Sequence, residues 1–368
     1  MKPIVFSLIA ALCLSFTWAY AQKKEVPLFI GGYTVNNNNE GIHVFNFDQE
    51  QGKLSKLSGL SCDNPSFLTI NKDKNRVYAV HELSEGKISA YDFDGKNLSL
   101  ISEVSLNAAG PCHISIDPEE KFLAVSNYSE GSLQTFSLNQ EGAIGDLLQE
   151  VKYEGSGVNP DRQTQPHIHS AFFDKIDNRL HVQDLGTDHM YVYSIDYTHA
   201  KGPKLSPHQI IESQPGGGPR HIAFNEDASF MYALMEMTSV LEVYKKIDTQ
   251  WVRIQSVPLN DPEFFGDVGA AEVRISSDGK FLFASDRIDS NKIFSFKISE
   301  RGFLSKVGEW YAEGEGPRNF TLSPNGKFLI VANQQSNNIS VFEINTKNGE
   351  LMHTSENVAI DAPTIVLF

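Results

Sequence analysis

Cysteine is scarce in this chain, and beyond its first two dozen residues long apolar runs are missing. Three cysteines occur in 368 residues. Cys13 falls in the N-terminal apolar run, so only Cys62 and Cys112 remain beyond it, too few for a disulfide framework; whether they pair is left open. No later stretch has the length and apolarity of a membrane span. The sequence also contains no G-x-S-x-G elbow, no Walker loop, no H-E-x-x-H and no dinucleotide fingerprint. Neither Cys62 nor Cys112 sits in an activated setting. Covalent catalysis by Ser or Cys is therefore disfavoured, no cofactor is expected, and the chemistry left is water activation, proton transfer and oxyanion stabilisation. Positive charge is in deficit as well: 31 Lys and Arg stand against 46 Asp and Glu, for a net charge of −15. Such a surface repels nucleic acid and anionic membranes; a small-molecule substrate and a monomer are expected. An anionic substrate would need a locally basic pocket.

The N-terminus has its own pattern. Lys2 precedes an apolar run from Ile4 to Trp18, and Ala19-Tyr20-Ala21 is an A-x-A cleavage pattern. Residues 1–21 are expected to be a signal peptide, with the mature chain starting at Gln22 and exported, periplasmic or secreted. Leu12, ahead of Cys13, is too large for a lipoprotein anchor site.

What the remainder has in abundance is repetition. The segments "NPSFLTINKDKNRVYAVHE", "GPCHISIDPEEKFLAVSNY", "QPHIHSAFFDKIDNRLHVQDL", "GPRHIAFNEDASFMYALME", "AAEVRISSDGKFLFASDR" and "GPRNFTLSPNGKFLIVANQ" share one design, and "APTIVLF" begins a seventh. Each opens on a small residue or Pro, continues as an alternating strand, turns, and returns as a second strand. The Asp278-Gly279 and Asn325-Gly326 pairs suit tight hairpins. The openings at Pro65, Pro111, Pro166, Pro219, Ala271, Pro317 and Pro363 are 46 to 55 residues apart. A third strand follows each hairpin, as in "NISVFEIN", and then a short fourth. Four strands per repeat predict an all-β, seven-bladed β-propeller spanning residues 22–368. The last opening has no chain left to complete it. Its blade is completed by the N-terminal "PLFIGGYT", "GIHVFNFD" and "LSKLSGL", so the C-terminal strand should pair with the N-terminal strands and close the ring.

In a propeller the first strand of each blade lines the channel, so the openings converge at one mouth. They bring His167 and His169, Arg220 and His221, Glu272 and Arg274, and Arg318. The ends of second strands add Glu236, Asp286 with Arg287, and Asn333 with Gln334. On a regular strand His167 and His169 would share a face. The pair reads as half-buried hydrogen-bonded histidines, as metal ligands completed by His221 or Glu272, or as acid–base and substrate-binding groups. Arginines aimed at one channel in so acidic a protein fit the binding of a carboxylate or phosphate better than surface decoration. His167, His221, Arg318 and Asn333 are expected to bind substrate there.

The blocks "QPHIHSAFFD", "VQDLGTDHMYVYSID", "GGGPRHIAFNEDASFMYALME", "DGKFLFASDR" and "GPRNFTLSPNGKFLIVANQ" resemble the lactonase family of seven-bladed propellers. That family includes a bacterial 6-phosphogluconolactonase and the fungal carboxymuconate lactonising enzyme. The resemblance runs through essentially the whole mature chain. It implies a catalytic set of a histidine, taken as His169 in preference to His167, with Arg220, Glu236 and Arg287. The leading reading is hydrolysis of a sugar-type lactone, 6-phosphogluconolactone being one candidate; lactones hydrolyse readily, so no metal is needed, and calcium- or zinc-dependent hydrolysis is a variant. Two departures stand out. Met235 and Asp286 occupy positions where the family usually has Asn, and Asp286 is expected to weaken the charge of Arg287. The larger departure is the signal peptide, since a phosphorylated sugar lactone is a cytoplasmic metabolite and this chain is expected to be exported. Cyclisation of an unsaturated diacid, or binding of a glycan or protein without turnover, are the alternatives.

Overall fold

In a computed structural model of the chain, residues 24–34 and 40–368 are described. The expected signal peptide lies outside them. The described residues form strands β1 to β28 in chain order, arranged as seven four-stranded antiparallel sheets. The innermost strands are β4 (Phe67–Ile70), β8 (Pro111–Ile116), β12 (Ile168–Asp174), β16 (Pro219–Phe224), β20 (Ala270–Ile275), β24 (Pro317–Leu322) and β28 (Pro363–Leu367). Each touches the next, and β28 touches β4, which completes the ring. The expected closure is present: β28 pairs with β1 (Glu25–Gly32), followed outward by β2 (Gly41–Asp48) and β3 (Lys53–Ser61). Closure removes the unpaired edges that an open array would expose.

The core lies between blades rather than within them, because a sheet buries its apolar faces only against a neighbouring sheet. Tyr232, Leu234 and Val243 of one blade pack with Leu282, Phe294 and Phe296 of the next. At the closing seam Ile365 packs with Phe29, Ile42 and Leu68. The seam is tight enough to require glycine, since a Cβ on Gly31 would stand 2.4 Å from the Pro65 carbonyl oxygen.

The turns differ from expectation. Between β20 and β21 (Phe281–Asp286) the connection is five residues, 276–280, not a two-residue hairpin. Gly279 donates its N–H to the Ser276 carbonyl at 2.9 Å and has φ +71°, so a conventional turn precedes a left-handed glycine. The Ser276 hydroxyl accepts the Phe281 N–H at 3.0 Å and closes the loop. Ser323 does the same for Phe328 and Asn225 for Phe230. These side-chain caps favour the longer loop.

One junction recurs in all seven blades and builds the mouth. The residue after each second strand donates its backbone N–H to a carbonyl just ahead of the inner strand. The pairs are Tyr33 to Ala362, Glu82 to Asn64, Tyr128 to Gly110, Leu185 to His167, Glu236 to Gly218, Arg287 to Gly269 and Gln334 to Gly316, all between 2.8 and 3.1 Å. Two residues after the acceptor, the inner strand bulges at Cys112, His169, Arg220, Arg318 and Thr364, and around Ala271. A bulge re-aims a side chain and ends regular pairing. The mouth is thus framed by two rings, one of bulge residues and one of residues that follow second strands.

Replacing Ile365 with Ala should cost about 2–5 kcal/mol in urea unfolding, the range for emptying a buried isoleucine site. A loss below about 1 kcal/mol would show that the seam does not hold the ring.

Candidate active site

Both rings contribute charge on the same side of the mouth. Glu236, after β17 (Phe230–Met235), is only 3% exposed and is surrounded by guanidinium groups. Its Oε2 accepts from Arg220 Nε at 2.9 Å and lies 3.2 Å from Arg287 Nη2. Its Oε1 accepts from Arg162 Nη2 at 2.7 Å. Burial would raise the Glu236 carboxyl, but Arg287, Arg220 and Arg162 outweigh it and hold it down at about 2. Glu236 is therefore a fixed anion at neutral pH and a weak base.

The arginines differ in freedom. Arg220 is 3% exposed and also donates through Nη1 to the Ala271 carbonyl. Burial and the neighbouring Arg287 pull it down to about 10, against Glu236. Arg287 is 18% exposed, and its Nη1 is buried with no hydrogen-bond partner among the described residues. Burial lowers it too, with Glu236 opposing. Arg318 donates to the Tyr33 hydroxyl at 3.2 Å and lies over that ring at 5.5 Å, and its Nη1 reaches Gln334 at 3.4 Å. Burial works against its charge, but Tyr33, Glu82 and Glu236 raise it overall.

The two histidines do not act as a matched pair. The bulge at His169 breaks the alternation that would put them on one face. His167 precedes β12, stacks on Tyr128 at 4.3 Å, and places Nδ1 3.0 Å from the Tyr128 carbonyl oxygen. His169 turns inward, with its ring 5.3 Å from His221 and Nδ1 buried without a hydrogen-bond partner among the described residues. Burial, then Arg220, His221, Arg318 and Arg287, hold His169 well below its usual value, so it is neutral at pH 7. A metal reading finds no third ligand: among the described residues no three His, Cys, Asp or Glu side chains are grouped to hold an ion.

Several residues expected at the mouth are placed elsewhere. His221 sits one residue past the bulge, 2% exposed, with Nδ1 3.3 Å from Glu272 Oε2. Burial, opposed by Glu272, takes it to about 4. Asn333, at the end of β25 (Phe328–Asn333), is fully buried and donates to the Ala312 carbonyl and the Ser340 hydroxyl. It ties the connection at Ala312 to the third strand of its own blade, because the mouth position belongs to the next residue, Gln334. Asp286 is spent in joining neighbouring blades, accepting from Gly269 N, Ile288 N, Ser239 of the preceding blade and Asn260 of the connection between them. The carboxylate that faces Arg287 is that of Glu236, so the expected neutralisation by Asp286 does not arise. Arg274 and Glu272 line a separate cavity of about 350 Å³ at the opposite ends of β12, β16 and β20. Cys62 and Cys112 are free thiols.

Tyr33, Tyr128 and Arg162 were not singled out from sequence. Tyr33 and Tyr128 occupy the repeat position of Glu236 and Arg287, so superposing the repeats would have found them. Arg162 lies in the non-repeating connection between β11 (Ile144–Lys152) and β12, where the only signal is the long interval between Pro111 and Pro166.

The "D-L-G-x-D" and "G-G-G-P-R" blocks now have physical roles. Asp184 accepts from His167 N and Gly186 N and fixes the entry to β12. Asp188 accepts from Gly216 N at 2.7 Å and Gly218 N at 2.8 Å, so it holds the glycine loop that delivers Arg220. Gly216 and Gly218 have φ of +77° and +67°, values that favour glycine.

The ring of blades and the arginine–glutamate mouth define a propeller enzyme that handles an anion-forming substrate. The family described as "Lactonase, 7-bladed beta-propeller" matches residues 27–368, and the chain belongs to that family. It is 33% identical to a 6-phosphogluconolactonase of Formosa agariphila, over 91% of this chain and 97% of that protein. It is 28% identical to the 6-phosphogluconolactonase of Bacillus subtilis, over 92% and 97%. The solved structure of the periplasmic gluconolactonase of Pseudomonas aeruginosa superposes with a TM-score of 0.88 at 30% identity, over 93% and 98%.

Glu236→Gln would leave three guanidinium groups facing one another without their anion. Breaking a buried ion pair from one side costs about 3–5 kcal/mol, and chemical unfolding of the variant should show a loss of that size. A loss below about 1 kcal/mol would mean that the carboxylate does not organise the arginines.

Proposed function

We propose that this lactonase opens a sugar-type lactone, of which 6-phosphogluconolactone is the leading example, by attack of water on the ring carbonyl. Neutral His169 takes the proton as the water oxygen bonds to carbon. Arg287 and Arg220 stabilise the oxyanion that forms on the carbonyl oxygen. The ring C–O bond then breaks, and His169 returns its proton to the leaving alkoxide, giving the open hydroxy acid. Glu236 holds the two arginines rather than acting as base, since its oxygens are already taken by guanidinium groups. The observation that carries this reading is the buried, unpartnered Arg287 Nη1 in a guanidinium fixed by Glu236. A preorganised donor of this kind is worth about 10²–10³ in rate. The relatives named for gluconolactone and 6-phosphogluconolactone hydrolysis support the sugar class.

Export to the periplasm or beyond also belongs to this proposal. It is supported by the leader-like residues 1–21 and by the periplasmic relative. A monomer fits a site built within one chain.

The test is turnover of 6-phosphogluconolactone and gluconolactone by the purified chain. Arg287→Ala should lower kcat/KM by about 10²–10³, and His169→Asn by about 10²–10⁴. The pH profile adds a sign. His169 loses function only when protonated, and its value is depressed, so kcat/KM should stay level as pH falls through 6.5. A half-loss near 6.5, or variants as active as the parent, would overturn the mechanism. No turnover of either lactone would overturn the substrate assignment.

A further inference from the structure

The arginines around Glu236 divide into two kinds, and the division falls between the two carboxylate oxygens. Oε2 serves Arg220 and Arg287, both set on propeller strands or their ends and both largely buried. Oε1 serves Arg162, which is 45% exposed and comes from the connection between blades. Arg162 Nη2 also donates to the Tyr128 hydroxyl, at 3.3 Å. From the geometry we infer that Arg162 is the specificity-determining residue of this lactonase, recognising an anionic group, phosphate or carboxylate, on the lactone's side chain. This rests on the lactonase reading and goes beyond it.

Three observations carry the inference. First, the backbone beneath Arg162 is anchored although its side chain is exposed. The adjacent Gln163 is 1% exposed and donates to the Leu185 carbonyl at 2.9 Å and to Asp188 Oδ1 at 2.8 Å. Asn159 Oδ1 accepts the N–H of Asp161 and of Arg162. Asp188 is the same carboxylate that holds the glycine loop ahead of Arg220. The connection is therefore tied to the frame of the site, and the Arg162 side chain can swing without the loop being remodelled.

Second, the charge does not balance. Arg162, Arg220 and Arg287 share the single carboxylate of Glu236, and Arg318 adds a fourth cation whose neighbours are Tyr33 and Gln334. Two further carboxylates act on these cations: Glu82, which accepts from the Tyr33 hydroxyl at 2.9 Å and supports the charge of Arg318, and Glu272, which supports that of Arg220, so the guanidinium groups still outnumber the carboxylates. A site with more guanidinium than carboxylate favours an incoming anion, and an arginine fork matches phosphate or carboxylate geometry.

Third, transferring Arg162 costs little. Glu236 keeps Arg220 and Arg287 on Oε2 when Arg162 leaves Oε1, so the carboxylate as a whole stays paired. Arg162, itself 45% exposed, gives up its pair with the buried Oε1 for a pair with the incoming anion. Arg220 and Arg287 lack this freedom, because moving either would break the frame that faces the reacting carbonyl. The strand-borne arginines act on the carbonyl, and the loop-borne arginine reads the tail.

The experiment compares Arg162→Ala and Arg162→Lys with the parent on three substrates: 6-phosphogluconolactone, a glucarolactone bearing a free carboxylate, and gluconolactone. The expected result is a fall of at least tenfold in the anionic-to-neutral ratio of kcat/KM for Arg162→Ala. The fall should lie in KM more than in kcat, with partial recovery in Arg162→Lys. The two anionic lactones show which group is read. Calorimetric binding of 6-phosphogluconate and gluconate to the same three proteins provides a readout that does not need turnover. Loss of 6-phosphogluconate affinity in Arg162→Ala, with less change for gluconate, supports the assignment. A ratio unchanged within twofold, or equal loss for neutral and anionic compounds, overturns it and leaves Arg162 as a structural partner of Glu236. Failure of the parent on all three lactones would instead sink the lactonase reading.

Discussion

The site depends on one carboxylate held in the middle of three guanidinium groups. Arginines buried together repel one another, and desolvation makes each charge more costly. Glu236 makes the cluster tolerable by bonding Arg220 and Arg287 through one oxygen and Arg162 through the other. The same contacts remove Glu236 from competition for protons, and the proposed mechanism therefore gives that role to neutral His169. In that proposal the electrostatic frame and the proton acceptor fall to different side chains.

The fold supplies this arrangement through repetition with one variable. Every blade makes the same backbone junction, and in six of the seven a bulge follows on the inner strand. The junction always presents two side chains to the mouth, one from the bulge and one from the residue after the second strand. Some of these places hold bland residues, such as Thr364, Ala271 and Leu185, and others hold Tyr33, Glu82, Tyr128 and Arg318. Three adjacent blades supply His169, Arg220 with Glu236, and Arg287. Position is contributed by the scaffold and chemistry by substitution, which is why the active residues lie far apart in sequence and meet in space.

Much of this was legible in the sequence because the repeat is a physical period. Alternating strands, turn residues and seven openings led to the propeller, and "APTIVLF", with no chain beyond it, led to closure through β28. His169, Arg220, Glu236 and Arg287 were legible through the same register, joined by the family resemblance. The failures came where the register is broken or shifted by one residue. Asn333 and Asp286 are grouped with Gln334 and Arg287 by the sequence pattern, yet neighbours on a strand end face opposite ways, and these two bond to the turns and connections packed beneath the mouth. His167 and His169 were read as sharing a face, but a bulge cannot be seen from alternation alone. His221 lies one step below the mouth for the same reason. Arg162 sits outside the repeat, where no periodic argument reaches.

The central claim is that Glu236 is a fixed anion that organises the arginines. The most direct measurement is a carbon-13 NMR titration of glutamate carboxyl groups in the intact protein, with Glu236→Gln used to assign the signal. The account expects Glu236 to remain ionised as pH falls through the ordinary carboxylate range and to titrate at about 2, if the fold survives that far. A midpoint near 4.5 would contradict it, because the arginines would then not be bound to the carboxylate in solution.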